Sequence, residues 1–525
     1  MQSDFFKLSK EVANRFIQSI VFIDDRAFLA DTGDNTNAFN SNIISKAFAE
    51  SGKICAIYAP ITESDIKTYY PILNKADIVI LDWYLQLTNE SDRDLDPEAD
   101  AEMDDPRGEY TISLIRNLTD ESSNKNLKLI VIYTGDNIAA IKDEIAKEFS
   151  SSPFKEEDFS MQINNVRIVL RGKGDNSDKQ YNYNTDLNKF VVPYIELPDH
   201  ILNEFTKMSS GLVSNYALES ATLIREQTSR ILGVFSPSLD PAYLGHRTLL
   251  ENPSDAKSLL TKLYGDVITE LIEAEEINTD KWIEYWLSQN ISENEIMLGG
   301  NKIVRNQDIL LNIINSSGGI SERIQKATKV SVSKKDSVKY ISHLFKYKDV
   351  NVDNSNISFA QLTHHKNAIC PIKTAPVLTL GTIIKKREDG KTTFFICIQQ
   401  RCDSVRIPNE DGNDRRFIFL PLTEKAPDAK DSQNRLSPII IDNATILYLD
   451  GQSFDIKTIR FKANATKKVN AVFIDDKWIF KSIHKEVFEW VVDLKELHAQ
   501  RIVNNYCAQL SRVGLNESEW LRLYK

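Results

Sequence analysis

The chain has 525 residues, a formal net charge of −11, 42% hydrophobic and 26% charged residues. That length exceeds what one core organises, so several domains are expected. The acidic balance argues against a surface built to coat nucleic acid and makes nucleic acid an unexpected partner, while leaving room for a local basic patch. No apolar run is long enough to span a membrane. The five cysteines, Cys55, Cys370, Cys397, Cys402 and Cys507, are scattered and odd in number, which suits a reducing compartment. Residues 1–5 lack the basic start and apolar core of a secretory leader, so a cytoplasmic location is expected.

Taken in order, Phe5, Leu8, Val12 and Phe16 recur at helical spacing and lead into an apolar run, 19–23, that ends in Asp24 and Asp25. A helix near 43–51, a strand at 54–58 and a helix at 64–73 follow. A second apolar run, 78–81, ends in Asp82, and is followed by the acidic insertion 86–106, read as an exposed loop. Gly108 opens the next helix. The run 129–133 ends in Thr134, a helix covers about 137–149, and a fifth strand, 166–170, leads into Arg171-Gly172-Lys173-Gly174. Continuous apolar runs alternating with helical patterns predict an α/β fold with a doubly wound parallel five-stranded sheet.

The polar stretch 174–188 reads as a linker. Residues 190–350 read as a helical domain with a basic excess near Lys334, Lys335 and Lys339. From 351 to 525 the pattern predicts a β-rich domain that closes with helices, the last long one over 483–510. The first domain is placed at 1–185.

In a parallel sheet, ligand-binding groups gather at the carboxyl ends of the strands. Asp24, Asp25, Asp82 and Thr134 therefore converge on one pocket. Three close carboxylates repel one another unless a hard cation such as Mg²⁺ sits among them. One of them can then attack phosphorus, with Thr134 and Lys173 offering a hydroxyl and an ammonium to the phosphoryl oxygens.

These pieces, in this order, resemble the receiver domain of response regulators, whose fold is flavodoxin-like. The resemblance implies that Asp82 accepts a phosphoryl group from a histidine kinase. It also implies that Asp24, Asp25, Asp82 and the backbone carbonyl of Tyr84 hold Mg²⁺, and that Thr134 and Lys173 contact the phosphoryl group. Departures are visible. The loop after Asp82 is long, Lys173 is followed by Gly174 rather than proline, and Leu170 stands where the family carries an aromatic switch residue.

The remaining two thirds matches no output module. A helix-turn-helix can be drawn around Gly318-Gly319. Cys397, Cys402 and His364, with Cys370 and His365, would allow a zinc site, but Cys397 shares a strand face with Phe395 and reads better as a buried thiol. Asp403 and Arg406 read as an internal ion pair or a partner contact. A large receiver with no evident output is similar to the receiver components of bacterial anti-phage systems called Detocs. That resemblance implies a phosphate sink, or a regulator, acting with a kinase and a second receiver–effector protein. The alternative is a response regulator with a DNA-binding or effector output. The protein is expected to be a phosphoacceptor rather than a turnover enzyme, with an output enzyme left open under the alternative.

Overall fold

The computed structural model describes residues 3–28, 39–87, 108–120, 126–174, 187–250, 253–366, 374–405, 407, 414–424, 438–449 and 456–510. Most of the acidic insertion, most of the linker, Cys370, Arg406 and the last fifteen residues, 511–525, lie outside them. The chain divides into two compact units, 1–292 and 293–525. The division falls inside the stretch 190–350 that the sequence pattern treats as one helical domain. The reason is packing: three of the helices between 197 and 290, at 197–209, 212–226 and 279–290, share a core with the N-terminal sheet.

In the first unit, α1 (Asp4–Phe16), β1 (Ser19–Ile23), α2 (Ser41–Glu50), β2 (Ile54–Tyr58), α3 (Glu63–Lys75), β3 (Ile78–Leu81), α4 (Glu109–Thr119), β4 (Lys128–Thr134) and α5 (Ile138–Glu148) alternate as expected. Then come β5 (Phe154–Lys155), β6 (Ser160–Ile163), β7 (Val166–Gly174) and β8 (Val191–Pro193). Six helices follow: α6 (Leu197–Ser209), α7 (Leu212–Glu226), α8 (Thr228–Val234), α9 (Asp240–Leu249), α10 (Ala256–Ala274) and α11 (Thr279–Asn290). The sheet runs β2-β1-β3-β4-β7-β6-β5, with β8 also paired to β7. Strands β2, β1, β3, β4 and β7 are parallel, the order of a doubly wound sheet with one switch point.

The sheet has eight strands rather than the expected five. The β6–β7 hairpin turns at Asn164-Asn165, with Asn164 at φ 50°, a conformation asparagine tolerates in tight hairpins. Strands β5 and β6 are too short to show as apolar runs.

Both faces of the sheet are buried. One packs on α3, α4 and α5 through Leu73, Leu114, Ile115, Ile138 and Ile141. The other packs on α1, α2 and α6 through Val12, Ile44, Phe48, Ile201 and Phe205, with Leu218 of α7 and Trp282 of α11 behind them. Helix α6, beyond the linker, thus closes the face that α2 leaves open. Lys128, 2% exposed, sends its ammonium across to the carbonyls of Leu73 (2.5 Å) and Ala76 (2.7 Å). It caps the C-terminus of α3, whose last carbonyls have no helical partner.

The second unit begins with a hairpin, β9 (Asn294–Leu298) and β10 (Asn301–Arg305), then α12 (Gln307–Asn315), α13 (Ile320–Thr328), α14 (Lys334–Tyr340) and α15 (Val352–His364). Next come β11 (Thr382–Glu388), β12 (Lys391–Cys397), α16 (Arg401–Ser404), β13 (Asp414–Thr423), β14 (Ile439–Ile440), β15 (Ile446–Leu449) and β16 (Lys457–Lys462). Strands β17 (Val472–Ile474), β18 (Lys477–Lys481) and β19 (Val487–Asp493) precede α17 (Glu496–Leu510). Strands β11, β12, β13, β16, β18 and β19 wrap into a barrel. It closes where Phe461 bridges Ser482 and the Ile483 amide donates to the Arg460 carbonyl. Its interior is aromatic: Phe395, Phe417, Phe419, Phe461, Phe480 and Phe488.

Three expectations for this half are corrected. The hairpin 294–305 stands where a helical run was expected from 303; Gly299 and Gly300, both at positive φ, supply its two-residue turn. Residues 352–364 are helical although the sequence changes character at 357. The expected closing helix from 483 is interrupted by β19, a Val/Phe/Trp run buried between β11 and β18.

Candidate functional site

Three strand ends of the parallel sheet carry the acids, because each run is apolar until it leaves the core. Asp24 is fully buried, Asp82 is 7% exposed, and Asp25 is half-buried. One oxygen of each of the three can meet within 4.8 Å, and among the described residues this is the one such group of Asp, Glu, His and Cys side chains. Lys173 lies near the end of β7 on the face shared with Arg171. Its ammonium donates to Asp24 Oδ2 at 2.7 Å and to Asp82 Oδ2 at 2.8 Å. The other oxygens are held by the backbone: Arg26 N–H donates to Asp24 Oδ1 (2.9 Å) and Trp83 N–H to Asp82 Oδ1 (2.8 Å).

Asp25 Oδ1 differs. It is buried and has no hydrogen-bond partner. Burial and the neighbouring Asp24 charge push the Asp25 carboxyl up to about 6, against backbone N–H groups of Asp25 and Gln86. Burial also raises Asp82, although the Lys173 ammonium opposes it. For Lys173 itself burial acts downward, and the Asp82 and Asp24 carboxylates outweigh it, so the group is raised and stays charged. Three carboxylates, one with an unsatisfied inward oxygen, fit a small divalent cation with oxygen ligands.

Asp82, Lys173, Thr134 and Tyr84 line one cavity of about 180 Å³ together with Arg26, Gly135 and Asp136. Thr134, 1% exposed, accepts a hydrogen bond from the Asp136 amide at 3.1 Å. The cavity wall is fastened to α4: Thr111 Oγ1 donates to the Asp82 carbonyl at 2.8 Å. Gly108, the N-cap of α4 at φ +82°, leaves no room for a side chain, since a Cβ would lie 2.2 Å from the Trp83 ring. Glycine is required there twice over, by conformation and by contact.

All six residues singled out from the sequence, Asp24, Asp25, Asp82, Tyr84, Thr134 and Lys173, are therefore brought to one place. Sequence reasoning missed Arg26 and Asp136. Each lies within two residues of a strand-end group, which was the available signal. Leu170 is fully buried in the opposite face of β7. The aromatic side chains at the site are instead Phe39, whose ring centroid lies 5.6 Å from the Lys173 ammonium, and Tyr84, which lines the cavity.

Elsewhere, the helices α12 and α13 flank Gly318-Gly319, and Lys334, Lys335 and Lys339 are exposed on or beside them in α14. Cys397 is fully buried in the barrel beside Phe395, and burial pushes its thiol up to about 12. Cys402 is exposed. His364 stacks on His498 at 4.0 Å. Among the described residues these side chains form no metal-binding group.

Residues 16–178 match a protein family described as the response receiver domain. No curated protein and no solved structure matches the chain. The match supports a receiver domain over that part of the chain, and with it a phosphoacceptor role in two-component signalling.

Proposed function

We propose that this protein takes a phosphoryl group from a partner histidine kinase onto Asp82 and acts as a signalling phosphoacceptor rather than a turnover enzyme. The observation that carries this reading is the Lys173 ammonium bridging Asp24 and Asp82 beside the unsatisfied Asp25 Oδ1. Mg²⁺, when bound, would neutralise the charge that builds on the phosphoryl oxygens; Asp24, Asp25, Asp82 and the Tyr84 carbonyl would hold it. An Asp82 carboxylate oxygen forms the new bond to phosphorus as the bond to the donor nitrogen breaks. Lys173 transfers one of its hydrogen bonds from the carboxylate to a phosphoryl oxygen, Thr134 offers its hydroxyl, and Arg26 adds positive charge at the cavity rim.

The sequence resemblance to Detocs components extends the proposal to a role as phosphate sink or regulator in anti-phage defence, in the cytoplasm, with a second receiver–effector as its counterpart. The response regulator with a DNA-binding or effector output is the alternative.

The test is labelling by acetyl phosphate or by a candidate kinase with Mg²⁺ present. Wild type should label, Asp82→Asn should not, and chelation should abolish labelling. Full labelling of Asp82→Asn would overturn the assignment.

A further inference from the structure

The outer face of the barrel carries charges that folding alone does not explain. Phe461 and Phe480 point into the barrel, so on β16 and β18 the alternate residues Arg460, Lys462 and Lys481 point outward. The β13–β16 register sets Arg416 directly opposite Arg460. The bridge between Phe461 and Ser482, which closes the barrel, sets Lys462 beside Lys481. Like charges opposed across neighbouring strands work against a sheet, and here two such pairs lie side by side.

Nearby acids relieve them only in part. Asp414, the register partner of Lys462, is paired with Arg460 at 2.5 Å. Glu489 is shared by Lys385 (2.9 Å) and Lys477 (3.5 Å). Arg416, Lys462 and Lys481 form no ion pair among the described residues. The local sequence concentrates the same charge. Residues 457–485 hold eight Lys and Arg against two Asp, within a chain of net charge −11. Two of those lysines, Lys467 and Lys485, occupy turn positions at φ 58° and 64°, where glycine or asparagine would be relaxed.

We propose that the β13–β16–β18 face of the barrel binds the phosphate backbone of a nucleic acid strand. Arg460 and Lys462 stand two residues apart on the outer face of β16, with Arg416 and Lys481 beside them on the neighbouring strands, a spread of cations suited to spaced phosphates rather than to one ion. Arg416, exposed and unpaired among the described residues, presents a planar fork that matches phosphate oxygens. Val472 and Val487, about half exposed, pair in register with Ile479 and Lys481 and offer apolar surface at the same side for sugars and bases. This inference is independent of the phosphoacceptor reading. It also restores locally what the overall negative charge argues against.

The test is fluorescence anisotropy of the full chain with labelled oligonucleotides of one length as single-stranded DNA, single-stranded RNA and duplex, at about 50 and 200 mM salt. Wild type should bind at least one probe, more weakly at the higher salt; the order of the three affinities identifies the source. The triple variant Arg416→Gln, Lys462→Gln, Lys481→Gln should bind at least about tenfold more weakly, with a salt slope lower by about one per cation removed. Its melting temperature should not fall, because opposed like charges have been removed. Should it fall, Lys481→Gln alone carries the test, with a smaller loss and a slope lower by about one. No binding of any probe by wild type, undiminished binding by these variants, or displacement of the probe by polyglutamate as readily as by unlabelled oligonucleotide would each overturn the proposal.

Discussion

Strand β7 holds two clusters of buried charge on one face, and they are built oppositely. At Arg167 and Arg171 the cluster is complete: Glu204 of α6, 1% exposed, accepts from Arg167 (2.8 Å), Arg171 (2.9 Å) and Lys207 (2.7 Å), and Arg171 also reaches His200 at 2.7 Å. Two residues further on, at Lys173, three carboxylates face a single ammonium and Asp25 Oδ1 has no partner. Burial of charge is common to both, so it does not mark a site. The convergence of three carboxylates within 4.8 Å does, one of them with an unsatisfied buried oxygen. The first cluster fastens α6 to the sheet; the second holds a place for a ligand.

The largest effect should come from breaking the complete cluster. Glu204→Gln leaves the buried Arg171 guanidinium without its counter-charge and Arg167 with Asp158 alone, and should cost about 3 kcal/mol of stability, read by chemical denaturation. A loss near zero would show that the cluster is no lock. The same cluster sets an acid limit. Burial acts upward on the Glu204 carboxyl, but Arg171, Lys207 and Arg167 hold it down at about 2. Its folded value lies below the ordinary carboxylate value of roughly 4.3, so its contribution is present above that pH and is lost as pH falls toward 2. Wild type should lose stability across that window, and Glu204→Gln should show a flatter profile.

Gly108→Ala tests the wall of the incomplete site. The new methyl group meets the Trp83 ring and the backbone resists a side chain at φ +82°, so a loss of about 2 kcal/mol is expected. Because Trp83 directly follows Asp82, labelling should slow as well, measured by acetyl phosphate turnover at a temperature where the variant is folded. The smallest effect should be a gain. Asp25→Asn removes one charge from a crowded carboxylate group and should raise stability by about 1 kcal/mol without divalent cation. Mg²⁺ should raise the melting temperature of wild type and leave that of the variant nearly unchanged. A variant destabilised in the absence of Mg²⁺ would show that the comparison between the two clusters is wrong.

Much of this was legible in the residue order. An apolar run that stops at a carboxylate states both that a strand is buried and where it leaves the core, so Asp24, Asp25, Asp82 and Thr134 could be gathered without coordinates. Lys173 was legible only as a basic residue after a strand, since Gly174 departs from the family pattern. The β19 run was read as helix because Val487–Val492 is apolar at several spacings, and only its pairing with β11 and β18 decides between them. Arg26 gave no signal beyond its place after the acidic pair.

The sequence by itself determined the alternation of strands and helices, the ends of the strands and so the chemistry of the pocket, because hydrophobic period and strand length are local properties. Tertiary structure alone decided that α6 belongs to the sheet, that Glu204 meets Arg167 and Arg171, and that Arg416 faces Arg460 across the barrel. Those facts depend on register and on contacts between residues far apart in the chain, and a shift of one position in a strand would turn each of those side chains to the other face.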